Sequence, residues 1–171
     1  NGPNNFKSFN YEIPGDISSS AFFIVLTILS QRSKIIINNV NINESRIGII
    51  KILNKMNCKI KLANKRLYKG EKIADIIVKS SNKIKSINCP PSLNSAAIDE
   101  FLVIFLVAAK AKGVSSFRSL GELNKKESPR LKIASIILRK MGVKVKLTTN
   151  SIQIYGNPNL TLKKEILVND Y

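Results

Sequence analysis

The chain has 171 residues, of which 44% are hydrophobic, and a formal net charge of +17. This length suits one domain or two small ones, and the apolar fraction is sufficient for a hydrophobic core. No apolar run reaches the roughly 18 residues of a membrane span, since charged residues close both ends of the longest run, residues 101–109. The N-terminus has neither an initiator methionine nor a secretory signal. We therefore expect a cytoplasmic protein whose chain begins inside a longer gene product.

The cysteine and histidine content argues against a zinc site. Cys58 and Cys89 stand in unlike contexts without a CxxC spacing, and the sequence has no histidine. These features do not fit the usual zinc ligand sets. Two reduced thiols are the ordinary expectation in the cytoplasm, and a disulfide is the alternative.

The basic residues are dispersed rather than clustered. Many alternate with apolar residues, as at 59–61 and 144–146, which is typical of the solvent face of a strand. Aromatic residues make up only 6% of the chain, so a basic and aromatic platform for stacking on bases is not evident. This dispersed pattern indicates that the high net charge reflects compositional bias on solvent-exposed faces. Attraction of an anionic substrate and nucleic-acid binding are the alternatives.

Hydrophobic periodicity predicts the order β-α-β-α-β-β, repeated once. The first unit has six predicted elements, which are a strand near 6–13, a helix near 18–29, a strand near 34–40, a helix near 45–56, and strands near 58–63 and 74–78. The second unit has a strand near 83–88, a helix near 97–110, a strand near 114–118, a helix ending at 141, and strands near 143–147 and 152–155.

An internal repeat supports this division. Residues 54–61 and residues 139–146 follow the same pattern at an offset of 85, and each segment ends a helix and starts a strand. Asn57 and Gly142 take the position after the helix where a left-handed residue is favoured. We assign residues 6–80 to unit one, residues 83–156 to unit two and residues 157–171 to the start of a following segment.

The helices of each unit differ in pattern. The first helix is apolar nearly all round and is expected to be buried. The second is striped, and its apolar face in unit two consists of Leu131, Ala134, Ile137, Leu138 and Met141.

A polar run at residues 126–130, Lys-Glu-Ser-Pro-Arg, opens the last helix. Ser128 suits the N-cap and Pro129 the first helical position. Helix N-termini favour anions, and the lysine and arginine would add to that preference. Glu127 is either an ion-pair partner or a proton-transfer group, and Arg130 is suited to grip a carboxylate or phosphate. A well-capped helix with a surface Lys–Glu pair is the alternative.

A second carboxylate, Asp99, lies upstream at the predicted start of an apolar helix. It is either a carboxylate that satisfies the helix dipole or a general base, and spacing does not separate it from Glu100. The hydroxyl-rich turn at residues 14–20 is either a phosphate site or a helix cap. Residues 43–48, which are the counterpart in unit one of residues 126–130, are interpreted as a cap with a surface arginine, Arg46.

Several runs resemble the EPSP synthase (3-phosphoshikimate 1-carboxyvinyltransferase) family. Residues 14–22 resemble its Pro-Gly-Asp-x-Ser-Ser-x-x-Phe, and residues 126–131 its Lys-Glu-Ser-Asp-Arg-Leu. Residues 98–100 resemble its Ile-Asp-Glu, residues 43–48 its Asn-Pro-Thr-Arg-Thr-Gly, and residues 74–76 its Ala-Asp-Ile/Leu. The likeness follows nearly the whole chain in unbroken order.

The resemblance implies a mixed α/β (α+β) fold, the enolpyruvyl transferase fold, with two lobes of three β-α-β-α-β-β units each. This chain would supply two consecutive units of one lobe. The implied reaction belongs to the shikimate pathway of aromatic amino-acid biosynthesis. It transfers the enolpyruvyl group of phosphoenolpyruvate to the 5-hydroxyl of shikimate 3-phosphate and releases phosphate, with neither a metal nor an organic cofactor.

Roles for individual residues follow from the same resemblance. Asp99 would be the base near the attacking hydroxyl and a ligand of shikimate 3-phosphate, which Lys126 would also contact. Glu127 would handle protons at the phosphoenolpyruvate methylene, and Arg130 would bind phosphoenolpyruvate. The sequence departs from the family at Pro129, where the family has Asp, and at residues 124–125, where it has Arg-Val.

The implied partners are the two substrates and the remainder of the synthase, without nucleic acid or membrane. We expect the full enzyme to be monomeric and the 171-residue chain alone to be inactive. One alternative is the enolpyruvyl transferase acting on UDP-N-acetylglucosamine, whose family shares the fold but lacks the Lys-Glu-Ser-x-Arg run. The other is a basic, non-catalytic module that binds nucleic acid.

Overall fold

The structure, a computed structural model, describes residues 8–161. The helices in this range are α1 (Ile17–Leu29), α2 (Gly48–Lys55), α3 (Phe101–Ala109) and α4 (Arg130–Lys140). The strands are β1 (Lys34–Asn41), β2 (Lys59–Tyr68), β3 (Glu71–Lys79), β4 (Gly113–Phe117), β5 (Lys144–Leu147) and β6 (Ile152–Gly156). Short 3-10 helices cover Pro91–Leu93, Ser95–Ala97 and Gly121–Asn124.

The strands form two antiparallel sheets of the same topology. One has the order β1-β3-β2 and the other β4-β6-β5, so in each sheet the last strand in sequence lies in the middle. Alternate residues on the strands are exposed and buried, as in Lys144–Leu147, where both lysines face solvent. The prediction that alternating lysines mark solvent faces is confirmed there.

The two predicted first strands are wrong as continuous strands. Residues 8–13 are in no strand, residues 6–7 lie outside the described residues, and Gly15 makes a single parallel bridge to Val40. In the second unit the chain near residues 83–88 makes only two isolated parallel bridges, from Lys85 to Lys112 just before β4 and from Asn88 to Ser116 within β4. Both partner strands bend locally, because Asn39 has a φ of 55° and Gly113 a φ of 105°. These bends interrupt a regular ladder.

The helices pack into one core shared by both sheets. Helix α3 is the most deeply buried, with Phe101, Ile104 and Phe105 fully inaccessible. The rings of Phe101 and Phe105 pack around Phe117 of β4, with centroids 5.9 and 5.1 Å from it. Helix α3 also lies against α1, α2 and α4, which joins the two units.

Helix α1 is buried on one face only, contrary to the prediction that it is buried all round. Ile24 and Ile28 face the core, whereas Phe22, Phe23 and Leu26 are 66%, 56% and 64% exposed. The reason is that α1 contacts its own sheet and α3 on one side, and within the described residues nothing lies over its other face.

The helix boundaries differ from prediction mainly at the N-termini. Helix α2 begins at Gly48 rather than near residue 45, and α3 begins at Phe101 rather than near residue 97, after two 3-10 turns. The C-termini agree with prediction. Asn57 and Gly142 have φ values of 65° and 82°, which confirms left-handed residues there.

The apolar face predicted for α4 is confirmed at its centre. Leu131, Ala134 and Leu138 are buried. Both cysteines are free and buried in the core. No helix within residues 8–161 combines the length and apolarity needed to cross a membrane.

Candidate active site

Asp99 lies at the centre of a cluster of three cations. Its Oδ1 is 3.5 Å from Nζ of Lys126 and 3.7 Å from Nη1 of Arg130, and its Oδ2 is 3.8 Å from Nη2 of Arg46. The Asp99 side chain is 35% exposed. All three separations exceed the usual hydrogen-bond distance, so these cations leave lone pairs of the carboxylate for another donor, such as a substrate hydroxyl.

The packing of α3 and α4 produces this juxtaposition. Phe101 and Leu131 are fully buried near the N-termini of the two helices, and Leu123 anchors the 3-10 turn before the Lys126 segment. Each buried residue draws its helix start against the core and leaves the preceding polar turn at the surface. Because α3 and α4 are neighbours, the two polar turns meet.

The predicted N-cap at Ser128 is wrong. Helix α4 begins at Arg130, its N-cap is Pro129, and no side chain caps it. Pro129 has φ −74° and ψ 70°, which is not helical, so the helix starts one residue later than expected. The amide of Arg130 donates to the carbonyl oxygen of Ser128 at 2.7 Å, and the amide of Ile133 donates to that of Pro129 at 3.0 Å.

Arg130 lies between the two predicted carboxylates. Its Nη2 donates to Oε2 of Glu127 at 2.9 Å, while its Nη1 faces Asp99. The Glu127 side chain is 82% exposed and that of Arg130 is 29% exposed. A hydrogen bond from its own backbone amide and the charge and hydrogen bond of Arg130 lower the pKa of Glu127. Glu127 thus forms the ion pair that the sequence indicated as one of its two roles. Its other role, in proton transfer, stays a prediction.

Glu100 faces a different environment from Asp99. It is 4% exposed and accepts a hydrogen bond from Oγ of Ser18 in α1. Burial raises its pKa, an effect that the Ser18 hydrogen bond and the nearby Arg46 oppose and the Asp99 charge strengthens. The sequence did not distinguish Asp99 from Glu100 as the candidate base. In the structure Asp99 is the one that lies beside Lys126 and Arg130.

Two residues, Arg46 and Ser18, make contacts in and beside this cluster that the sequence did not predict. Arg46, interpreted as a surface arginine of a cap, has a half-exposed side chain that reaches Asp99 and lies 3.1 Å from Oγ of Ser18. The internal repeat carried a signal, because residues 43–48 occupy the place in unit one that the Lys126 segment occupies in unit two. Ser18 lies in the hydroxyl-rich turn at residues 14–20, but its contact with Glu100 was not predicted.

The turn at residues 14–20 acts as a helix cap, which confirms that interpretation. Asp16 is the N-cap of α1, and its Oδ2 accepts from the amide of Ser19 at 2.7 Å and from the Ser19 hydroxyl at 2.9 Å. Partial burial raises the pKa of Asp16, but the Ser19 hydrogen bonds outweigh it and the net shift is downward. A carboxylate of the chain itself therefore occupies the donors that a phosphate would need.

Comparisons with known proteins place this chain in a family. The family model of EPSP synthase (3-phosphoshikimate 1-carboxyvinyltransferase) matches residues 1–165. A 3-phosphoshikimate 1-carboxyvinyltransferase of Thermodesulfovibrio yellowstonii is 39% identical over 148 residues, which cover 86% of this chain and 34% of that protein. One from Legionella pneumophila is 44% identical over 144 residues, covering 84% and 33%.

The structural comparison agrees. The EPSP synthase of Acinetobacter baumannii superposes with a TM-score of 0.82 at 38% identity, covering 84% of this chain and 32% of that one. The predicted mixed α/β class and enolpyruvyl transferase fold are thereby confirmed. The chain spans about a third of the length of the relatives that it matches. The family model, the relatives and the fold together show that the chain belongs to the EPSP synthase (3-phosphoshikimate 1-carboxyvinyltransferase) family.

Proposed function

We propose that this chain is part of an enzyme that transfers the enolpyruvyl group of phosphoenolpyruvate to the 5-hydroxyl of shikimate 3-phosphate and releases phosphate. The observation that carries the proposal is the convergence of Asp99, Lys126, Glu127 and Arg130 at the N-terminal ends of α3 and α4. Cations at helix N-termini attract anionic groups, and both substrates are anionic.

The residues divide the chemistry between binding and proton transfer. Lys126 and Arg130 hold the shikimate 3-phosphate and the phosphoenolpyruvate, respectively. Asp99 binds the shikimate and accepts the proton of the attacking hydroxyl, whose oxygen bonds to the central carbon of phosphoenolpyruvate while the methylene carbon gains a proton. In the second step the bond to phosphate breaks and the methyl carbon loses a proton. Glu127 handles the protons at that carbon.

The protonation of Glu127 constrains its role. Its lowered pKa makes it a carboxylate at neutral pH, so in the substrate-free state it is poised to accept a proton rather than to donate one. Proton removal from the methyl carbon in the second step suits that state directly. Proton delivery in the first step requires that Glu127 first take up a proton from solvent, and substrate binding that displaces Arg130 favours this uptake because it removes a charge that lowers the pKa of Glu127.

The architecture of the proposed enzyme extends beyond this chain. Residues 6–80 and 83–156 form two of three units of one lobe, and residues 157–171 begin a following segment. The exposed apolar face of α1, formed by Phe22, Phe23 and Leu26, supports this proposal because a neighbouring unit would cover it. The whole enzyme would act in the cytoplasm as a monomer, without a metal, organic cofactor, membrane or nucleic acid.

Phosphate release by the full-length protein that contains this chain tests the proposal. We expect release only when phosphoenolpyruvate and shikimate 3-phosphate are both present, and no measurable turnover from the 171-residue chain alone. Asp99→Asn in the full-length protein should lower kcat by about 10²- to 10⁴-fold, because the hydroxyl then loses its base. Asp75→Asn is the matched control, since the Asp75 carboxylate contacts Asn39 and Asn64 instead.

Three outcomes would overturn the proposal. They are full activity of the Asp99→Asn variant, turnover by the 171-residue chain at rates near those of the full-length protein, and transfer to UDP-N-acetylglucosamine in place of shikimate 3-phosphate. A nucleic-acid module would instead bind DNA with steep salt dependence, and Lys126→Ala would leave shikimate 3-phosphate binding unchanged.

A further inference from the structure

Arg46 is held in place by the turn that carries it. The amide of Arg46 donates to the carbonyl oxygen of Asn43 at 2.9 Å, and the Asn43 side chain accepts from the Ser45 amide at 3.1 Å. Ile47 is buried, and Gly48 fits so closely against Ala96 that an added Cβ would lie 2.5 Å from that backbone. The turn before α2 is thus pressed against the turn that leads to Asp99.

The guanidinium of Arg46 contacts residues of two other elements, Ser18 in α1 and Asp99 in the turn before α3. Its Nη2 is 3.1 Å from Oγ of Ser18 and 3.8 Å from Oδ2 of Asp99. The Ser18 hydroxyl accepts from Arg46 and donates its own hydrogen to Glu100. A closed ring results, in which Arg46 and Ser18 of unit one hold the adjacent carboxylates Asp99 and Glu100 of unit two.

The two oxygens of Asp99 face different sets of cations. Arg46 contacts Oδ2, whereas Lys126 and Arg130 contact Oδ1. Because cations lie beside both oxygens, they favour one orientation of the carboxylate plane, and a base that must accept a proton along a defined direction requires such a preference.

We propose that Arg46 is a positioning residue, which orients the Asp99 carboxylate toward the substrate hydroxyl without contacting the reacting atoms. The proposal rests on the proposed function, because it presupposes Asp99 as the base. It means that unit one sets the geometry of a proton acceptor that unit two supplies.

Kinetics of Arg46 variants in the full-length protein test the proposal. Arg46→Gln should lower kcat about 10- to 100-fold, while KM for each substrate changes less than about twofold, because misorientation of the base slows the chemical step and leaves binding intact. Arg46→Lys should recover only part of the loss, because an ammonium group lacks the planar guanidinium geometry that places Nη2 near both Ser18 and Asp99. Arg66→Gln, the same charge change on β2, where Arg66 contacts Asn64 and Asn39, should match the unmodified protein.

A double-mutant cycle separates positioning from general stability. In an Asp99→Asn background, Arg46→Gln should lower the residual rate by less than about twofold, because the group that it orients has already been replaced. A purely structural role would lower the rate equally in both backgrounds and would overturn the proposal. A tenfold rise in KM with kcat unchanged would also overturn it, because Arg46 would then bind substrate.

The outcomes distinguish this inference from the function on which it rests. If the unmodified full-length protein shows no enolpyruvyl transfer, the proposed function fails. If it is active and Arg46→Gln behaves like Arg66→Gln, the positioning role fails and the function stands. Should Arg46→Gln fold poorly, Arg46→Lys in the same cycle decides the matter, since it keeps the charge and removes only the guanidinium geometry.

Discussion

Asp99 Oδ1 lies 3.5 Å from the ammonium nitrogen of Lys126, although the whole of α3 and β4 separates the two residues in sequence. Their proximity results from the packing of α3 against α4, because the two residues are too far apart in sequence to meet within one turn. Damage to the α3–α4 contact therefore acts on the site as directly as replacement of a charged side chain does.

Removal of the Lys126 ammonium group should weaken substrate binding. Lys126→Ala in the full-length protein should raise KM for shikimate 3-phosphate about 10- to 100-fold, because a charge-assisted contact to the substrate is lost. Lys125→Ala is the matched control, because Lys125 is 76% exposed and pairs with Glu122 at 3.5 Å. Steady-state kinetics with each substrate varied in turn measure both effects. Equal effects of the two variants would contradict the prediction.

Gly48 should be intolerant of a side chain. A Cβ there would lie 2.5 Å from the backbone of Ala96 and 2.8 Å from Cβ of Ala97, so Gly48→Ala must push the two turns apart. We expect a loss of about 1–3 kcal/mol in the free energy of unfolding, measured by urea denaturation of the chain. Gly121→Ala should lose less than about 1 kcal/mol, since its Cβ would meet only Asn150, at an ordinary 3.6 Å. A similar loss in both variants would show that the close approach is not the cause.

The buried carboxyl of Glu100 should make stability depend on pH. Because its pKa is raised in the folded state, the folded chain binds its proton more tightly than the unfolded chain does. This residue therefore costs no stability below its unfolded pKa and costs progressively more as the pH rises through its folded pKa.

Glu100→Gln removes that cost, and the amide oxygen can still accept from Ser18. Relative to the unmodified chain, the variant should gain stability as the pH rises above about 4. Urea denaturation at a series of pH values measures the difference in unfolding free energy. Glu122→Gln on the exposed 3-10 turn is the control and should show no such trend. A difference that falls with rising pH would mean that Ser18 and Arg46 outweigh burial.

The two thiols should be inert in the folded chain. Burial raises the pKa of Cys58 to about 12 and that of Cys89 to about 11, an effect that the charge of Lys55 partly offsets at Cys89. Only the thiolate reacts with alkylating agents. We therefore expect neither cysteine to be modified at pH 8 in the folded chain and both to be modified once denaturant unfolds it. Mass spectrometry counts the modified cysteines. Rapid labelling of either cysteine in the folded state would contradict the burial described for it.

Much of the fold could be predicted because it depends on local patterns. Strands β1, β5 and β6 agree with prediction to within a residue, and Asn57 and Gly142 marked two helix C-termini. The N-termini of helices were harder to predict. Several polar residues before α2, α3 and α4 are acceptable caps, and tertiary packing rather than capping strength decided where each helix begins.

The sequence by itself determined the repeated α-β-α-β-β order, the resemblance to one family and the acidic and basic residues worth testing. Periodicity and short motifs encode those features locally. Only the tertiary structure decided that Asp99 faces the cations while Glu100 turns toward Ser18, and that Arg46 joins them from the other unit. These contacts join residues far apart in the chain, and their geometry depends on how buried helices pack, which no local pattern records.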